Sequence, residues 1–207
     1  MNLKPEELEE NGYILLDEMN HAEIVPFVKK FLHKRTWFSS LYYLSVIISF
    51  ALLLFFCMKL YHPGNYGISK ILLQISLGIP LTLALIPVHE LIHALAYKLQ
   101  GAKKTSFDYN LQRFYFLAIA DKFVTSKREF KIIALSPFLA ISLALLISSY
   151  LTGEVWRVTI LTTLMIHTIA CSGDFALLSY FEFNREKKVV TYDDKENKVS
   201  FFYGRSV

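Results

Sequence analysis

The chain has 207 residues, 54% of them hydrophobic and 19% charged, with a mean hydropathy of +0.37 and a formal net charge of +4. That is too apolar for an ordinary soluble domain, so the composition excludes one and places the chain among integral membrane proteins. The basic residues crowd the ends of apolar runs, which marks them as topology signals and excludes a nucleic-acid patch.

Residues 1–37 read as a cytoplasmic segment. They open with Glu6, Glu7, Glu9 and Glu10, and the pattern predicts a short amphipathic helix around Ile24 to Leu32. No apolar stretch begins before Phe38, so no cleaved signal peptide is expected and the first span serves as the targeting signal. A spanning helix needs about 20 apolar residues. Four stretches qualify: Phe38 to Met58, Ile71 to about Leu99, Ile132 to Gly153, and about Trp156 to Phe181. The expectation is therefore an all-α integral membrane fold of four transmembrane helices, with one transmembrane domain over 38–182 and a cytoplasmic tail over 183–207.

Two polar segments carry strand patterns. Between the second and third spans, Phe107, Tyr109 and Leu111 alternate with Ser106, Asp108 and Asn110, and Phe114, Phe116 and Ala118 continue the rhythm. Period-two alternation with aromatics predicts a hairpin at the membrane surface, either an interfacial aromatic belt or a strand edge that holds a substrate backbone. In the tail, Val189 to Tyr192 and Val199 to Tyr203 flank a polar turn and predict a second, smaller β-hairpin.

Lys and Arg orient the spans. Lys29, Lys30, Lys34 and Arg35 precede the first, and Lys98, Lys103, Lys104, Arg113, Lys122, Lys127, Arg128 and Lys131 lie between the second and third. Arg185, Lys187 and Lys188 follow the fourth, whereas the two short loops carry only Lys70 and Arg157. Both termini and the long central loop are expected in the cytoplasm. The absence of a transit-like start favours a bacterial plasma membrane.

The chemistry lies in the second span, where residues 89–93 read His-Glu-Leu-Ile-His. Positions i and i+4 share one helix face, so His89 and His93 can hold one metal ion, with Glu90 beside it as a base. Ionisable groups inside a span are expensive and point to function. A catalytic zinc site needs three protein ligands and an open fourth position. Asp174, the one acid in the fourth run, is the best third ligand. Counted from the outer face, His89 is 19 residues into its span from Lys70, and Asp174 is 18 residues into its own from Trp156. At about 1.5 Å per residue both lie roughly 27 to 29 Å deep.

Several neighbours have two readings. Pro87, just before His89, either opens a pocket or is an ordinary membrane proline. His167 reads as a polar contact between helices or as a hydrogen-bond donor to substrate. Gly173 suits close packing or local unwinding. Cys57 and Cys171 lie in apolar runs and are not expected to pair; Cys171 reads first as a small buried hydrophobe, with approach to a metal as the alternative.

At His89-Glu90-Leu91-Ile92-His93-Ala94-Leu95-Ala96, Leu135-Ser136-Pro137 and Ser172-Gly173-Asp174 the chain resembles a membrane-embedded family of zincin-type peptidases, once catalogued as a domain of unknown function. That family is similar, more distantly, to site-2 intramembrane proteases. The resemblance covers roughly residues 70 to 182. It implies Zn2+ held by His89, His93 and Asp174, and Glu90 as the catalytic base. The expected function is hydrolysis of peptide bonds in or near the membrane, with a membrane protein or peptide as substrate, the lipid bilayer as surroundings and no nucleic acid as partner. The alternative is a non-catalytic membrane regulator or adaptor that keeps a metal-bound peptidase-like core, although a purely structural site has no need of Glu90. A transporter is the weakest reading, since no inverted repeat is visible.

Overall fold

The computed structural model describes residues 3–61, 66–110 and 115–206. Among these, six α-helices and six β-strands follow in chain order. Strand β1 (Ile14–Asn20) precedes helices α1 (Ile24–Leu32), α2 (Trp37–Leu60) and α3 (Ile68–Leu99). Strands β2 (Ser106–Asn110), β3 (Tyr115–Ile119) and β4 (Thr125–Ser126) come next, then α4 (Lys127–Leu151), α5 (Glu154–Ala170) and α6 (Ser172–Phe183). Strands β5 (Lys187–Asp194) and β6 (Val199–Ser206) complete the chain. Four helical stretches are long and apolar enough to cross a membrane: Trp37–Leu60, Ile68–Leu99, Lys127–Leu151 and Glu154–Phe183.

The last of these is not one straight helix. It breaks at Cys171, whose N–H closes the final turn of α5 on the His167 carbonyl at 3.1 Å before α6 begins at Ser172. Glycine at 173 suits the start of a new helix, and Asp174 falls in the first turn of α6, where the helix dipole favours a carboxylate. Pro80 and Pro87 do not break α3, which runs through both.

The chain divides into two compact units. The first comprises 1–39, 90–136 and 173–207. Its centre is an antiparallel sheet in the order β1-β6-β5-β4. The expected C-terminal hairpin is β5–β6, but the N-terminal segment adds β1 to it as well as the predicted α1. The fold is mostly helical as expected, and the polar segments add a four-stranded sheet; β1 carries no strand signal in the sequence because its Ile-Leu-Leu-Asp-Glu-Met-Asn run does not alternate. The strand nonetheless pairs along β6 with a register shift between Leu15 and Asp17. Apolar side chains close the unit: Phe27 stacks on Phe202 at 5.6 Å, and Tyr180 meets Phe202 at 4.5 Å.

The predicted surface hairpin is present as β2–β3, with Phe107 stacked on Phe116 across the strands at 5.6 Å. Such cross-strand aromatic pairs are what stabilise an isolated two-stranded ribbon. Leu111, Arg113 and Phe114 lie outside the described residues.

The second unit comprises 40–89 and 137–172 and is helical. Leu53, Leu60, Ile71, Val158, Leu161 and Leu164 form its core. Helices α3 and α5 meet at Gly78, where an added Cβ would fall 2.7 Å from Thr162. Thr159 donates to both the backbone and side-chain oxygens of Gln74, and Thr163 donates to the Gly78 carbonyl. Small residues and hydroxyl cross-links of this kind hold helices together where lipid removes the hydrophobic drive. Ile47, Leu83 and Leu143 in this unit are each more than half exposed, as befits helices with apolar outer faces.

Candidate metal centre

The site begins with one turn of α3. Within that single helix the donor atoms of His89, Glu90 and His93 lie within 4.8 Å of one another, and the i, i+4 spacing sets His89 and His93 on one face. His89 is the last residue of the helical unit on this stretch, and Glu90 and His93 belong to the sheet-containing unit.

In the sheet-containing unit, His93 is fixed from both sides of its ring. Its Nδ1 donates to the Ile133 carbonyl on α4 at 3.0 Å, so that in the neutral ring Nε2 carries the lone pair. That Nε2 lies 3.1 Å from Asp174 Oδ1. The source of the Ile133 carbonyl is legible in the chain. In an α-helix it would accept from the N–H of residue 137, and residue 137 is proline. The proline removes the competitor, and Ile133 accepts from His93 and from Ser136 Oγ instead.

Glu90 and His93 are both buried. Glu90 Oε2 accepts the N–H of Ala118 on β3 at 2.7 Å, which pins the carboxylate beside the hairpin. Glu90, His93, Tyr97 and Asp174 line a cavity of about 100 Å³. That is ample for water, which needs about 10–15 Å³ by this kind of measure. His21, Asp193 and Ser200 line the same cavity from the sheet. They belong to a polar chain in which His21 Nδ1 contacts Asp108 Oδ2 at 3.2 Å and Ser200 Oγ donates to Asp193 at 2.6 Å. Burial pushes the Asp193 carboxyl above its ordinary value, against the hydrogen bond from Ser200. Burial acts upward on Asp108 too, but hydrogen bonds from His21 and Lys198 outweigh it and hold that carboxyl low.

Zinc fits the donors on this face. Two ligands held about 2.0–2.1 Å from one tetrahedral ion stand about 3.3 Å apart, close to the His93–Asp174 separation. A ligating histidine ordinarily donates its other N–H to a carbonyl or carboxylate, as His93 does to Ile133. Imidazole and carboxylate donors suit zinc.

In the helical unit His89 has other company. Its Nδ1 lies 3.3 Å from His167 Nε2, and Cys171 Sγ lies 3.7 Å from that same nitrogen. Sequence reasoning treated His167 and Cys171 separately. The signal that joins them was present, because they too are spaced i and i+4, the interval that marks His89 and His93. The role of Pro137 in freeing a carbonyl and the bond from Ala118 to Glu90 were not anticipated.

No match was found among curated proteins or among solved structures. A family model described as "Putative zincin peptidase" matches residues 82–187, a stretch that takes in His89, Glu90, His93 and Asp174. That stretch is just over half of the 207 residues, and the chain belongs to this family.

Proposed function

We propose that the protein is a zinc-dependent peptidase of the membrane, with His89, His93 and Asp174 as the metal ligands and Glu90 as the general base. The observation that carries the reading is the contact of His93 Nε2 with Asp174 Oδ1 at 3.1 Å in a cavity that Glu90 also lines. Zinc, when bound, supplies Lewis acidity that lowers the pKa of water and polarises the scissile carbonyl.

The residues of the chain do the rest. Glu90 takes a proton from the attacking water and returns it to the leaving amine. Ala118 holds the Glu90 carboxylate in place, and Ile133 holds His93 in the tautomer that presents Nε2. The two-stranded sheet leaves the outer edge of β3 without a neighbouring strand among the described residues, and Glu90 sits at that edge. An extended peptide that adds to β3 runs past Glu90 with its carbonyls in reach. The substrate is a membrane protein or peptide, cleaved in or near a bacterial plasma membrane, and both termini of the enzyme are cytoplasmic.

The test is zinc content and turnover of the purified full chain. Wild type should hold zinc, and a His89→Ala, His93→Ala double variant should hold none. Glu90→Gln should keep zinc and lose turnover by at least about a hundredfold, the scale of general-base catalysis. Equal zinc in wild type and the double variant defeats the reading. A Glu90→Gln protein that retains every cellular effect would favour a non-catalytic adaptor instead.

A further inference from the structure

The helical unit contains a second convergence of metal-binding side chains, which the peptidase reading does not use. His167 occupies the last turn of α5, and Cys171 caps that helix by donating its N–H to the His167 carbonyl. The four-residue interval throws both side chains to one face. His89 meets them from α3. One donor atom from each of His89, His167 and Cys171 lies within 4.8 Å of the other two.

The separations fit a coordination shell. Zinc binds nitrogen at about 2.0–2.1 Å and thiolate at about 2.3 Å, so a tetrahedral ion sets N–N edges of about 3.3 Å and N–S edges of about 3.6 Å. The observed values are 3.3 Å from His89 Nδ1 to His167 Nε2 and 3.7 Å from Cys171 Sγ to His167 Nε2. Cys171 is fully buried and His167 nearly so, while His89 is half-buried, so the donors sit in a desolvated wall with one partly open side.

We propose that His89, His167 and Cys171 form a metal site of their own, a bis-imidazole thiolate that takes a borderline-soft divalent cation such as zinc. The thiol gives up its proton to water on binding, and the thiolate selects against hard cations such as magnesium and calcium. The site shares His89 with the peptidase reading but needs neither His93 nor Asp174. A neutral imidazole has a single lone pair. An ion held through His89 Nδ1 therefore withdraws that ring from any set that uses its other nitrogen, and excess metal should slow turnover.

Cobalt is the probe, added in excess to the full chain in detergent. A sulfur-to-cobalt charge-transfer band in the near ultraviolet is expected in wild type, in Cys57→Ser and in a His93→Ala, Asp174→Asn double variant. It should vanish in Cys171→Ser and fall severalfold in His167→Ala. No band in wild type and in the double variant, or a band that survives Cys171→Ser, overturns the proposal; so does loss of the band in the double variant alone. The peptidase reading stands or falls on the turnover of Glu90→Gln, a substitution that leaves His89, His167 and Cys171 in place, so the two can fail separately.

Discussion

A single proline accounts for the orientation of one proposed ligand. Pro137 cannot donate to the Ile133 carbonyl, and that carbonyl holds His93 Nδ1 at 3.0 Å. Partners of this kind are worth about 10- to 100-fold in metal affinity when lost outright. Pro137→Ala restores the N–H, which competes for the same oxygen without abolishing the contact. Zinc affinity, measured by competition with a chelator, should fall by a smaller factor, about three- to tenfold. Unchanged affinity would mean that Ile133 does not orient His93. At this scale the sequence was partly legible. The spacing of His89, Glu90 and His93 and the lone acid in the fourth run mark the chemistry. Ala118 could not be read in advance, because its backbone N–H carries the contact and side-chain identity is silent about it.

Among the elements, the contact of α3 with α5 depends on one missing side chain. A methyl at Gly78 would stand 2.7 Å from Thr162 Cβ and 3.1 Å from the Thr159 carbonyl, so neither a rotamer change nor a flexible tip can relieve it. Gly78→Ala should separate the helices and cost about 1–3 kcal/mol, as overpacking does. The midpoint of thermal unfolding in detergent should drop by several degrees, and the Thr163 bond to the Gly78 carbonyl should weaken with it. An unaltered midpoint would argue against so close an approach. The hairpins were legible from alternation and turn residues. The break at Cys171 was not, since an apolar run crosses it without a change of composition; only Gly173 hinted at it.

For the whole molecule, the basic residues make a claim about orientation. Eight Lys and Arg side chains lie between the second and third spans, and the two short loops carry only Lys70 and Arg157. The positive-inside rule predicts cytoplasmic termini. In intact cells an impermeant maleimide should label a cysteine placed at Glu154, which this orientation puts outside. One placed at Lys104 should react only after permeabilisation. The reverse pattern would invert the topology and put the Glu90 cavity on the other side of the membrane.

By itself the sequence determined that four apolar helices can cross a membrane and that two imidazoles share a helix face, and it predicted a carboxylate at a matching depth. These are periodic, local properties, fixed by the helical repeat and by the length of an apolar run. Tertiary structure decided which groups touch: that Asp174 meets His93, that a proline-freed carbonyl sets the His93 tautomer, and that His167 and Cys171 gather beside His89. It also decided that β1 joins the C-terminal hairpin, far away in the chain. Contacts between distant segments depend on packing and on backbone atoms, which residue identity does not encode locally.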